Sequence, residues 1–159
     1  MKRGIPLVAY GCGNIRGTTA LRAVQAAAEA RFGLPVRWAF TSETMRLRLA
    51  SSRTKSDSVL KALKRMRFER YTHVAVQPLH IIPGMEYSAV ASDCRVIAEE
   101  GKLSVSLGLP LLSGHAPGDP SVTQAAKALL QHLSPLRAPV EPVVCMVPQA
   151  DDRVVLHSF

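Results

Sequence analysis

The sequence predicts an α/β fold built on a parallel four-stranded sheet in the order 2-1-3-4, with helices on both faces. Three observations carry this expectation. Short apolar runs alternate with longer stretches at helical spacing from one end of the chain to the other. Each run ends in a cluster of Gly, Pro, Ser, Thr or Asn, where a strand turns toward the next helix. Strand–helix alternation of this kind means right-handed βαβ crossovers. With 159 residues, 47% of them hydrophobic, the chain can bury one core and is expected to form a single domain over 1–159, with 141–159 as an extra strand and tail.

Ile5 to Tyr10 is a short apolar run broken at Gly11-Cys12-Gly13-Asn14, which reads as a buried strand and a tight loop. Thr18 or Thr19 is expected to cap an alanine-rich helix reaching Arg31, with Gly33 as its terminator. Leu34 to Phe40 is the second strand, and Thr41 or Ser42 caps a helix from Glu43. Beyond a polar stretch over 51–55, Val59, Leu60, Leu63 and Met66 recur at helical spacing. Thr72 to Leu79 is the third strand, Pro83-Gly84 its turn, and a helix from Glu86 to Glu100 sets Val90, Cys94 and Ile97 on one face. Leu103 to Leu107 is the fourth strand, Val122 to Leu133 a final amphipathic helix, and Pro142 to Met146 a fifth strand.

The composition narrows the function classes. No apolar run approaches the roughly 20 residues of a membrane span, and the start of the chain lacks the apolar region of a signal peptide, so a cytoplasmic protein is expected. Cys12, Cys94 and Cys145 are an odd, widely spaced set without a CxxC pair, which suits a reducing compartment better than a disulfide framework. The net charge of +8 points either to an anionic partner or substrate or simply to a basic, solvated surface. Nucleic acid is the least favoured, because no RNP-like aromatic pair, zinc-finger spacing or helix-turn-helix pattern accompanies the charge.

In a parallel sheet, ligands bind beyond the carboxyl ends of the strands. The first such loop, Gly11-x-Gly13-x-x-x-Gly17, lacks the glycine spacing of a dinucleotide fingerprint, and no acidic residue ends the second strand to bind a ribose. The loop after the third strand is richer, gathering His80, Glu86 and Tyr87 around a Pro-Gly turn. Imidazole and carboxylate can ligate a metal or move protons near neutral pH. The competing reading is a buried His80 satisfied by backbone and a Glu86 that complements a helix dipole. His115 follows the fourth strand at the same edge. Arg46, Arg48 and Arg53 follow the second strand, where guanidinium groups could pair with carboxylates, or simply form a solvated helix face.

Three strings sharpen the reading: Arg37-Trp38-Ala39-Phe40-Thr41-Ser42, then Val74 through Tyr87 (VAVQPLHIIPGMEY), then Leu107-Gly108-Leu109-Pro110-Leu111-Leu112-Ser113. In order and spacing they resemble the N-terminal half of CbiK-type sirohydrochlorin cobaltochelatases, within the chelatase superfamily. The resemblance runs from about Leu7 to Met146. It implies a chelatase-like lobe, insertion of Co²⁺ into a polycarboxylate tetrapyrrole in anaerobic cobalamin biosynthesis, and a lyase-type activity. It also implies that the family's metal-binding histidines and glutamate lie mainly in a second lobe. That lobe's opening Gly-His-Gly turn falls near Val144-Cys145-Met146 here, without a matching histidine.

Half-size chelatases of the related CbiX type work as homodimers. By position, Gly11-Cys12-Gly13 and Gly84-Met85-Glu86 stand where those chains carry metal-binding histidines. The resemblance therefore points to a metal site of Cys12, His80 and Glu86, with His115 as a fourth group, and to His80 and Glu86 as the catalytic pair; the competing reading of Cys12 is a small residue filling a tight turn. Thiolate, imidazole and carboxylate suit Co²⁺ and other divalent metals of its type. Arg46, Arg48 and Arg53 would meet the tetrapyrrole carboxylates. The expected partners are the tetrapyrrole and either a second copy of the chain or a separate second lobe. The alternative is a half-chelatase that carries metal or tetrapyrrole without inserting one into the other.

Overall fold

The computed structural model describes residues 1–51, 56–112, 120–131, 144–148 and 154–158, and its contacts fall into two compact units, Met1–Ser113 and Gly114–Phe159. In the first unit four strands, β1 (Arg3–Ala9), β2 (Val36–Phe40), β3 (His73–Pro78) and β4 (Ser104–Leu107), form one sheet in the order β2-β1-β3-β4. Every neighbour pair is parallel, with Leu7 opposite Trp38 on one side and Gln77 on the other. This is the expected topology, and it follows from the crossover helices that return each chain end to the same edge.

β1 is central, and both of its faces are buried from Gly4 to Ala9. β3 alternates, with Val74, Val76 and Pro78 buried and His73, Ala75 and Gln77 exposed, as a half-covered strand should. The core lies under α3 (Val59–Phe68) and α4 (Met85–Glu99): Leu63 and Met66 from α3, and Val90, Cys94 and Ile97 from α4, pack with Val8, Val74 and Val76. Burying a side chain such as Leu63 or Ile97 is worth roughly 1.5–3 kcal/mol over leaving it in water. The opposite face carries α1 (Ile15–Phe32), whose Val24 and Ala28 share an apolar trough with Ile5 and Leu7.

α1 begins earlier than the threonines suggest. Asn14 is the N-cap and accepts from Gly17 N at 2.8 Å, while Thr18 and Thr19 donate their hydroxyls to the carbonyls four residues back. A carboxamide at the cap satisfies a free helix N–H that a hydroxyl inside the helix cannot reach. Gly33 closes α1 in the left-handed conformation, as expected. α2 (Glu43–Ser51) is capped by Ser42, whose Oγ accepts from Met45 N.

The second unit holds α5 (Pro120–Gln131) and an antiparallel hairpin of β5 (Val144–Pro148) and β6 (Val154–Ser158). The fifth strand thus sits two residues later than expected, and the segment read as a tail contributes a strand of its own. Val154-Val155-Leu156 has the β-branched composition for it, and pairing with β5 supplies the hydrogen bonds that a lone strand lacks.

Candidate functional site

The sheet ladder continues past the strand ends and fixes the loops at the carboxyl edge. Thr41 N donates to Ala9 O, Ser42 N to Tyr10 O and Leu79 N to Val8 O; Leu111 N and Leu112 N then donate to His80 O and Ile81 O. Tyr87 Oη reaches Gly108 O at 3.3 Å and Gln77 Nε2 reaches Leu109 O, so the loops after β3 and β4 are tied together. Gly108 leaves room for this, since a Cβ there would lie 2.5 Å from the Gln77 amide.

The edge is unusually apolar for a surface. Tyr10, Ile15, Ile81, Met85, Leu109 and Leu111 are all more than half exposed, and each follows a strand or opens the next helix. Grouped exposed hydrophobics of this kind mark a surface built to be covered.

Cys12 lies at the start of α1. Its thiol is 3.6 Å from both Asn14 O and Asn14 Oδ1, in the space above Gly17, where a Cβ would come within 1.9 Å of Sγ. Gly11, at φ +124°, lets the chain pass Met45, whose Cβ would be 2.8 Å from a side chain at that position.

His80 is half-buried in the loop after β3, and both of its ring nitrogens are shut off from water with no hydrogen-bond partner. Burial pulls its pKa below the usual imidazole value, and the nearby Glu86 carboxylate pulls it back up. Glu86 stands in the first turn of α4, where the helix dipole favours a carboxylate.

Glu86 is thus near enough to His80 for its charge to act on the imidazole, with no hydrogen bond between them. Cys12 has its thiol turned to Asn14 instead, and among the described residues no three His, Cys, Asp or Glu converge as a metal site would need. His115 and Arg53 lie outside the described residues. Arg48 is exposed in the last turn of α2. Arg46 is half-buried, and its Nη1 donates to Phe40 O and Thr41 O at 2.7 Å each, so it clamps the end of β2.

A feature not visible in sequence is a pocket of about 150 Å³ between the end of β2, the start of α3 and α4. Glu86, Ala89, Val90 and Asp93 line it from α4, at the i, i+3, i+4, i+7 spacing of one helix face. Thr41, Arg46 and Ser58 line it from the other side. Asp93 Oδ2 accepts from Leu60 N in the first turn of α3, and burial raises its pKa against the pull of that N–H. The Thr41 hydroxyl is buried without a partner.

In a parallel α/β lobe the carboxyl edge is where ligands bind, and here that edge is apolar and carries an acid. The comparisons with known proteins then specify the family. The cobalt chelatase (CbiK) model matches residues 3–152, and the chain belongs to that family. It is 51% identical over 147 residues to the sirohydrochlorin cobaltochelatase CbiKC of Nitratidesulfovibrio vulgaris, covering 91% of this chain and 51% of that one. It is 36% identical over 90 residues to the sirohydrochlorin cobaltochelatase of Salmonella typhimurium, covering 57% of this chain and 32% of that one. The chain thus spans about half the length of the first relative and a third of the second. A cobalamin (vitamin B12) biosynthesis CbiX protein from Marinobacter aquaeolei shares the fold with a TM-score of 0.55 at 14% identity, over 82% of this chain and 93% of that one. Among the described residues, no helix is long and apolar enough to cross a membrane.

Proposed function

We propose that this chain is one lobe of a sirohydrochlorin cobaltochelatase, working in the cytoplasm, that seats a polycarboxylate tetrapyrrole on its carboxyl edge while Co²⁺, the metal substrate, is inserted. The observation that supports this best is the exposed apolar edge, with the Glu86 carboxylate in its midst, in a chain of the CbiK family. A flat conjugated ring needs an apolar floor, and its peripheral carboxylates need cations at the fringe. Arg48 supplies one, Arg53 another, and the Nε and Nη2 groups of Arg46 remain for the purpose after Nη1 is spent on the backbone.

Insertion replaces two pyrrole N–H protons by one dication, and a basic group takes up those two protons and passes them to solvent as the metal–nitrogen bonds form. Glu86 is assigned to meet the incoming metal and shed its water. His80, in the loop just before α4, is assigned to join it in holding the metal or moving a proton. Cys12 is assigned to the set only by turning its thiol away from Asn14, and His115 is the fourth group proposed. Cobalt is the metal assigned, and other divalent metals of the same ligand preference would compete with it. One lobe cannot enclose a macrocycle, so a second copy or a separate lobe covers the other face.

The test is spectroscopic. Protein, sirohydrochlorin and Co²⁺ are mixed and the absorbance change is followed against a protein-free control. Faster cobalt insertion than the control bears the reading out. Tetrapyrrole binding without insertion reduces the chain to a carrier, and no binding at all overturns the proposal. Light scattering that reports a monomer with and without tetrapyrrole removes the homodimer.

A further inference from the structure

We infer that Tyr87 and Gln77 are positioning residues for the tetrapyrrole, holding Leu109 and Leu111 in place as part of its apolar floor. This rests on the reading that the carboxyl edge seats the macrocycle, and it adds what keeps that floor in register with Glu86. Leu109 and Leu111 are 66% and 58% exposed, whereas Pro110 between them is buried, so the turn after β4 presents two leucines around one anchored residue. Exposed leucines have little burial of their own to fix them, and their position comes from the hydrogen bonds of the turn.

Backbone groups tie the turn at both ends. Gly108 N donates to Val76 O at 2.8 Å, and Leu111 N and Leu112 N donate to His80 O and Ile81 O at 2.9 and 2.7 Å. Between these ties lie the carbonyls of Gly108 and Leu109, and side chains take both. Tyr87 Oη donates to Gly108 O and Gln77 Nε2 to Leu109 O, each at 3.3 Å. Gln77 Nε2 also donates to Pro78 O at 2.9 Å, which holds the amide where it stands. Tyr87 follows Glu86 in the first turn of α4, so one helical turn carries both the carboxylate and a tie to the floor. A turn ordered beforehand needs no ordering when the ring arrives. With the ties gone, the leucines are ordered only on binding, and the loss of affinity is bounded by what the hydrogen bonds contribute.

The experiment titrates sirohydrochlorin alone, by absorbance, and Co²⁺ alone, by calorimetry, into the full chain. The variants are Tyr87→Phe, Gln77→Ala, the two combined, and Gly108→Ala. Tyr87→Phe and Gln77→Ala should each weaken sirohydrochlorin binding about 2–10-fold, the contribution of one neutral hydrogen bond, and the double variant should weaken it more than either. Co²⁺ affinity should hold in all of them, a split that a general loss of folding does not produce. Gly108→Ala sets a Cβ 2.5 Å from Gln77 Oε1 and so swings the amide off Leu109 O. It should therefore match Gln77→Ala and add nothing to it, which tests the floor without touching the Tyr87 ring. Wild-type sirohydrochlorin affinity in the double variant overturns the inference, as does a parallel loss of Co²⁺ affinity. A wild-type chain that binds no sirohydrochlorin overturns the underlying reading, and this inference with it.

Discussion

Gly17→Ala tests whether the Cys12 thiol is packed at the helix start or free to turn toward a ligand. The new Cβ would lie 1.9 Å from Cys12 Sγ and 3.1 Å from Cys12 Cβ. Unstrained carbon contacts begin near 3.5 Å, so Sγ must retreat by roughly 2 Å. Only rotation about χ1 moves it that far, at the loss of its contacts with Asn14 O and Oδ1. Overpacking of this kind costs about 1–3 kcal/mol, against a helix-propensity gain of up to about 1 kcal/mol for replacing glycine. In the wild-type background Gly17→Ala should therefore be neutral to destabilising by about 2 kcal/mol. In a Cys12→Ala background the 3.1 Å contact with the residue-12 Cβ and a 3.3 Å contact with Asn14 Oδ1 remain, and the same change should be close to neutral. Urea unfolding of the four proteins gives the coupling directly, expected at about 1–2 kcal/mol. Equal effects of Gly17→Ala in both backgrounds would refute the packing argument. Gly17→Ala should also raise the rate at which Cys12 is alkylated, since the displaced thiol has only solvent to enter.

Three further predictions follow from the same geometry. His80 has a folded-state pKa below its unfolded value of about 6.5, because burial disfavours the imidazolium. The unfolded chain therefore takes up a proton first, and stability should fall as the pH drops below about 6.5. The slope is a fraction of the one-proton limit of about 1.4 kcal/mol per pH unit, since the Glu86 charge offsets part of the burial penalty. His80→Gln should flatten that limb of the denaturation profile, and an unchanged slope would show that other groups set it. Arg70 is a non-glycine residue at φ 65° just after α3, a conformation costing about 1 kcal/mol. Arg70→Gly should raise the urea midpoint by about 0.5 kcal/mol in free-energy terms, and a lowered midpoint would show that the side chain contributes more than the strain costs. The Cys94 thiol, pushed up to about 11 by burial and then by Asp93, should resist iodoacetamide at pH 8 while Cys12 reacts. Peptide mapping that found equal labelling of the two would contradict the packing of α4.

The elements were legible because their signals are local. Val74 and Val76 alternate with exposed neighbours, Val90, Cys94 and Ile97 recur on one helix face, and Gly33 ends α1 as a glycine in the left-handed region does. The strand order was legible too, since right-handed crossovers leave few ways to lay parallel strands side by side. Boundaries were less so. The cap of α1 moved to Asn14 because side-chain geometry, not residue type, decides which oxygen meets the helix N–H groups.

The candidate site divides along the same line. Sequence by itself determined the family strings, the placement of Cys12, His80 and Glu86 on carboxyl-edge loops, and the supply of arginines after β2. Tertiary structure decided which of these meet. It buried the His80 ring nitrogens within reach of the Glu86 charge, turned Cys12 to Asn14 and committed Arg46 to two backbone carbonyls. It also made a pocket from Thr41, Ser58 and Asp93, residues far apart along the chain. The physical reason is that a residue's chemistry travels with its type. Its partners, its burial and the solvent left beside it depend on the packing of segments distant in sequence, and no local pattern carries that information.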